Sequence, residues 1–202
     1  PSHFDYIGVG REGGSRGEFV PVFFDTRRLE PLEFDLFWLS DTPNVIGSNT
    51  WGGGSIRMVT WVRFRDRRTK REFVLLNSHF DNASESARLL SAGLVRDRIA
   101  GFDPSLPVIV TCDFNTPAPN SETYRTLVTD GGLVDGWLAG EQLTPLVGTF
   151  PNYRDPVPDG TRIDWILTNT RVEVLKAAIN TFRVDGRFPS DHVPVQALVR
   201  LA

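Results

Sequence analysis

The sequence predicts a mixed, largely antiparallel α/β fold built in layers. Short apolar or alternating runs recur between clusters of Gly, Pro, Asn and Ser. They come in adjacent pairs, as hairpin strands do, and only occasional helical stretches interrupt them, whereas a parallel βαβ wheel needs a helix after every strand. A chain of 202 residues that is 40% hydrophobic is enough for one domain, 1–202, with a core of its own.

Taken in order, His3 to Val9 and Glu18 to Phe24 read as strands around the glycine-dense loop GREGGSRG at 10–17. Glu30 to Leu39 is a third strand, and the loop 40–56 after it is rich in Gly, Asn, Ser and Pro and carries Trp51. So long a connection without periodicity is expected to be either disordered or functional. Arg57 to Arg65 and Glu72 to His79 flank the charged turn DRRTKR and form a hairpin. Ser84 to Phe102 is the clearest helix, with Ser84 as N-cap and Ala87, Leu90, Leu94, Val95 and Ile99 on one stripe. The β-branched run 107–112 follows as a strand buried on both faces and stops at Asp113. A shorter helix near 121–129 ends at Gly131-Gly132, and 136–160 reads as loop. Arg162 to Thr168, Val172 to Ile179 and Val193 to Leu201 are the last strands.

Charge narrows the partners. A net charge of −3 argues against gripping long nucleic acid chiefly through phosphate neutralisation, but leaves phosphate chemistry open at a local site. The basic run Arg63, Arg65, Arg67, Arg68, Lys70, Arg71 lies toward the hairpin turn, roughly 25 Å of strand from His79, and reads as a solvated end. The single cysteine, Cys112, falls in the buried strand as a small core residue, so neither a disulfide framework nor a cysteine zinc site is expected. No apolar run is long enough to cross a bilayer, so stable membrane insertion is not expected, and no obligate protein partner is evident. The chain starts at Pro1 without Met or an apolar leader and reads as a processed or trimmed product; its compartment stays open.

Two motif matches compete with the main reading. Gly8 to Gly13 matches the dinucleotide fingerprint, but a glycine-rich turn and a strand follow where a helix is required. Gly13 to Gly17 matches the nucleophile elbow, and Ser15, Asp164 and His192 occur in the order of the α/β-hydrolases, making a serine hydrolase the rival function. The elbow also needs a helix after it, whereas Phe19 to Phe24 reads as strand.

The chemistry-bearing residues stand at strand ends. Asp113 and Asn115 close the buried strand, His79 closes the hairpin's second strand, Asp191 and His192 open the last strand, and Asp164 sits inside an apolar one. A carboxylate held among apolar residues needs a partner, and histidine is the partner that also moves protons. Because the hairpin is antiparallel, Arg57 falls near His79 and can meet a phosphate, with the Trp51 loop reaching over the site. Phe150, Tyr153 and Arg154, in the loop before Asp164, are candidates for substrate selection.

In this order the stretches NSHFD, DFN, RIDWIL and SDH resemble the endonuclease/exonuclease/phosphatase superfamily, the DNase I-like metal-dependent phosphoesterases. Gly17-Glu18-Phe19 resembles the family's acidic position, and the resemblance runs from about Tyr6 to the C-terminus. It implies a four-layer α/β sandwich, with two mixed, mostly antiparallel sheets between helices. His79 and His192 would flank the scissile phosphate, supported by Glu18 and Asp164. Asp113 and Asn115 would position water and a phosphate oxygen. Asp191, with help from Asp113, would ligate Mg²⁺ or Mn²⁺, the hard ions that carboxylates and amides select. The substrate would be a phosphate ester: nucleic acid, nucleotide, lipid headgroup or sugar phosphate. A domain that kept this fold and lost turnover is the non-catalytic alternative. One departure stands out. The family's upstream Asn and Gln-Glu motif is missing, since neither Gln142 nor Gln196 precedes Glu. The domain is therefore expected to be N-terminally incomplete, with weak metal binding.

Overall fold

The computed structural model describes residues 2–202. Along the chain come β1 (Phe4–Ile7), β2 (Val22–Asp25), β3 (Leu29–Trp38), β4 (Met58–Asp66), β5 (Glu72–His79), α1 (Glu85–Ala100) and β6 (Val108–Ala118). They are followed by α2 (Glu122–Tyr124) with a π-helical turn Arg125–Thr129, β7 (Val134–Asp135), α3 (Gly136–Ala139), β8 (Glu141–Gln142), β9 (Arg162–Thr168), β10 (Val172–Ile179) and β11 (Val195–Leu201).

The main sheet runs β3-β4-β5-β6-β9-β7. Within this sheet only β5 and β6 pair in parallel, and α1 supplies the crossover that a parallel pair requires. Alternate residues face opposite ways along each strand. Leu76, Val110, Cys112 and Phe114 pack on one face with Ala92 and Val95 of α1 and with Leu127 of the π turn. On the other face Val62, Phe64, Phe73 and Ile109 meet Val22 and Phe24 of β2 and Val172 of β10. The β1-β2 hairpin and the β11-β10-β8 sheet thus form a second β layer, giving the α/β sandwich the sequence predicts. No helix among the described residues is long and apolar enough to cross a membrane.

Several boundaries differ from the sequence reading, each for a local reason. β2 starts at Val22 rather than Glu18, because Pro21 has no N–H to give a ladder. β6 continues past Asp113 to Ala118 through a register shift around Asn115, whose φ of 51° is the left-handed conformation that asparagine tolerates. Leu90 is 48% exposed; the buried side of α1 is Ala87, Ser91, Ala92 and Val95, small residues that let the helix lie close on the sheet. The segment 136–160 contains α3 and β8, and the last strand begins at Val195, not Val193.

Three residues of the basic run at the β4-β5 turn, Arg63, Arg65 and Arg67, face acids. Arg63 and Arg65 both donate to Glu72, while Glu30 lies 3.9 Å from Arg65 and 3.7 Å from Arg67. Asp66 closes this turn: its carboxylate accepts from Arg28 Nη2 at 2.6 Å and from the backbone N–H of Arg68 and Thr69. The Arg28 bond holds its carboxyl far below the usual range. A depressed folded pKa means stability that is present above the unfolded value of about 4 and is lost as pH falls below it. Asp66→Asn is expected to cost about 1–3 kcal/mol at pH 7 in urea melts, and the gap from wild type should narrow toward pH 2.

Candidate active site

Strand register assembles the site. His79 lies opposite Asp113 across the parallel β5-β6 pair, and Asp113 lies opposite Asp164 across the antiparallel β6-β9 pair. All three belong to the sheet face that meets the second β layer. They emerge at its end into an open cleft of about 440 Å³, which Glu18, Phe19, Ser190, Asp191 and His192 also line.

The segment before β11 brings in the second histidine. Ser190 Oγ accepts from the His192 N–H at 3.1 Å and Val193 N–H donates to the Thr149 carbonyl at 3.0 Å. Thr149 is fully buried, and its hydroxyl oxygen accepts from the N–H groups of Ile163 and Asp164. One threonine therefore ties the Asp164 strand to the His192 segment. Phe150, next in sequence, sets its ring 4.7 Å from that of His192.

Asp113 is the hub. Its Oδ2 lies 3.2 Å from His79 Nε2 and 3.7 Å from His192 Nε2, while its Oδ1 accepts from the Asn115 N–H at 2.9 Å. The left-handed turn at Asn115 also lets its amide donate to the Phe80 carbonyl at 3.0 Å. His192 Nδ1 and Asp164 Oδ2 are 2.8 Å apart, which leaves Nε2 turned toward Asp113. These contacts set the electrostatics. Burial, then the Asp164 charge, raises the Asp113 carboxyl to about 6. Burial, then Arg57, His192 and Arg11, lowers His79 to about 4, so it is a neutral imidazole at pH 7. His192 moves the other way, raised first by its hydrogen bond to Asp164. One histidine is thus kept neutral and the other is made more basic.

Donor atoms of Asp113, Asp164 and His192 fall within 4.8 Å of one another. Oxygen donors dominate, and the repulsion that lifts Asp113 is what a hard cation would relieve, so the residues fit a divalent ion.

Glu18 Oε2 lies 4.0 Å from His79 Nδ1 and is held more closely by Arg11 Nη1, at 2.5 Å. Two expectations are corrected. Trp51 is not in the cleft, because its ring packs on the helix-side core and its N–H donates to Asp41 at 2.8 Å. Ser15 does not line the cleft either, and the chain after it pairs Phe19 with Gly10 instead of starting a helix, so no Ser15–His192–Asp164 triad is assembled. Arg57 does lie beside His79, whereas Tyr153 is 62% exposed at a φ of 62°.

Sequence reasoning missed Arg11 and Asp81. Asp81 is buried two residues past His79; burial alone would raise its carboxyl, but the N–H groups of Ser84, Gly54, Ser55 and Ala83 hold it below the usual range. Its position inside NSHFD was the available signal. Arg11 is brought in by the tight turn at Gly10, where a Cβ would meet the Arg16 carbonyl oxygen at 2.0 Å.

Known proteins share this fold. A mannosyl-6-phosphatase of Bacteroides thetaiotaomicron is 32% identical, superposes with a TM-score of 0.91 over 98% of this chain, and is itself covered to 78%. An endonuclease/exonuclease/phosphatase of Bacteroides vulgatus is 32% identical with a TM-score of 0.92, covering 100% of this chain and 77% of that one. The human Nocturnin catalytic domain, 14% identical, has a TM-score of 0.74 over 100% of this chain and 73% of its own, and shares the fold. A search of curated proteins gives no match. The profile of the Endonuclease/Exonuclease/phosphatase family matches residues 8–192, and the chain belongs to that family.

Proposed function

We propose that the cleft hydrolyses a phosphate ester by attack of a water molecule that His192 deprotonates. The carrying observation is the 2.8 Å Asp164–His192 contact, which turns His192 Nε2 into a cleft already holding Asp113 and His79. Asp164 accepts the Nδ1 proton, fixing the tautomer and stabilising the charge that His192 takes up with the proton from water. His79, kept neutral, can donate from one ring nitrogen to a phosphoryl oxygen without adding a charge near the base. Asn115 holds Asp113 in place through its backbone N–H. Asp113 and Asp191 would hold Mg²⁺ or Mn²⁺, which when bound withdraws charge from the phosphoryl group. The relatives support a phosphate-ester substrate, one being named as a sugar phosphatase, and Phe150 at the edge of His192 is placed to touch the leaving group.

Hydrolysis of a sugar phosphate, a nucleotide, a lipid headgroup ester and single-stranded nucleic acid, each with Mg²⁺ and with EDTA and followed by separation of the products, tests this reading. Turnover of at least one ester that stops with EDTA is expected. Turnover undiminished by EDTA would refute the metal requirement.

A further inference from the structure

Asp164 and His192 stand 28 residues apart in sequence, yet their side chains meet at 2.8 Å. The backbone around them shows what holds the two segments at that distance. The β6-β9 ladder is irregular between Asp113 and Ala118. Opposite that irregularity, the hydroxyl oxygen of the fully buried Thr149 accepts from the N–H groups of Ile163 at 2.9 Å and Asp164 at 3.2 Å. A hydroxyl oxygen has two lone pairs, enough for both donors. The Thr149 carbonyl accepts from the Val193 N–H at 3.0 Å, and the Asn152 N–H donates to the Asp191 carbonyl at 3.0 Å. Asp164 itself and both chain neighbours of His192 are thus anchored on residues 149–152.

We propose that Thr149 is a positioning residue for the hydrolysis: its hydroxyl sets where Asp164 stands relative to His192, and so where His192 Nε2 meets the attacking water. The inference rests on the phosphoesterase reading above, in which His192 is the base. The tolerance of the pair is small. A hydrogen bond is lost once its heavy atoms part beyond roughly 3.5 Å, so a shift of under about 1 Å in β9 is enough to break this one. Misplacement of a reacting group on that scale costs on the order of 10²-fold in rate. Without the hydroxyl, two buried N–H groups lose their acceptor, and β9 must move to find another. Asp164 moves with it. Thr149 is not among the residues that line the cleft, so substrate binding should change far less than turnover.

Thr149→Val keeps the shape of the side chain and removes the acceptor, whereas Thr149→Ser keeps the acceptor and removes a methyl group. Asp66→Asn, at the β4-β5 turn, is the control for lost stability alone. The measurements are kcat and KM for p-nitrophenyl phosphate and bis(p-nitrophenyl) phosphate with Mg²⁺, melting temperatures, and crystal structures of wild type and Thr149→Val. The valine variant should lose about ten- to a hundredfold in kcat on whichever ester wild type turns over, with KM within about threefold. The serine variant should stay within about threefold of wild type in both. Thr149→Val and Asp66→Asn should both melt lower, but Asp66→Asn should keep its kcat. In the valine variant the Asp164 Oδ2–His192 Nδ1 separation should exceed hydrogen-bond reach. If that variant does not fold, Thr149→Cys takes its place with the same expectations, its sulfur being a larger and weaker acceptor. A kcat within threefold of wild type, equal losses in the valine and serine variants, an equal loss in Asp66→Asn, or an unchanged Asp164–His192 distance would overturn the proposal. If wild type turns over neither ester, nor any ester of the panel above, the phosphoesterase reading fails. The Asp164–His192 distance then decides by itself whether Thr149 sets the pair: a longer one supports it and an unchanged one overturns it.

Discussion

Replacing His192 by alanine is expected to lower kcat by about 10²- to 10⁴-fold while leaving the fold intact. The size follows from the role. Nε2 is the basic atom turned into the cleft, and the carboxylate behind Nδ1 would be left facing nothing that can accept a proton from water at the same point. The fold should survive because the side chain is partly solvated and Asp164 is its only hydrogen-bond partner among the described residues. Far-UV circular dichroism and a melting curve check the second half of the expectation. Added imidazole should restore part of the lost rate, since it can occupy the space vacated beside Asp164. A variant with near-normal kcat would show that another group takes the proton.

Asp135→Ala is expected to destabilise the protein by about 3–5 kcal/mol, the range for stripping one partner from a buried ion pair. Asp135 Oδ2 accepts from Arg162 Nη2 at 2.7 Å, and both side chains are almost fully buried. The same carboxylate caps α3 by accepting from the Trp137 N–H at 2.9 Å and accepts the Tyr124 hydroxyl at 3.2 Å. Its removal leaves a buried guanidinium at the start of β9, two residues before Asp164. Activity should fall with stability, because β9 sets where Asp164 meets Asp113. Urea unfolding measures the effect, and a loss below about 1 kcal/mol would mean that water reaches Arg162.

How much of this was readable from the chain differs by kind of residue. His79, Asp113, Asp164 and His192 stand at or within apolar runs whose strand character is local, and once those runs pair in register the residues converge. Apolar periodicity therefore carried most of the fold and the heart of the site. It could not carry choices between competing partners. Glu18 precedes a strand as expected, but whether its carboxylate meets His79 or Arg11 depends on the glycine loop closing Gly10 onto Phe19. The Asp135–Arg162 pair joins residues far apart in sequence, one of them, Asp135, in a stretch to which the sequence assigns no element. Asn115 shows a third limit: DFN reads as a strand end, yet a left-handed asparagine lets the strand kink and go on to Ala118. Trp51 failed as a site residue because a long glycine-rich loop can cover either side of a sheet, and here its indole finds the helix-side core.

Hydrolysis of a phosphate ester in ¹⁸O-labelled water, with Mg²⁺ present, tests the central claim most directly. Attack by a His192-activated water at phosphorus predicts one solvent oxygen in each phosphate group released and none in the alcohol. Unlabelled phosphate with the label in the alcohol would place the attack on carbon and contradict the account.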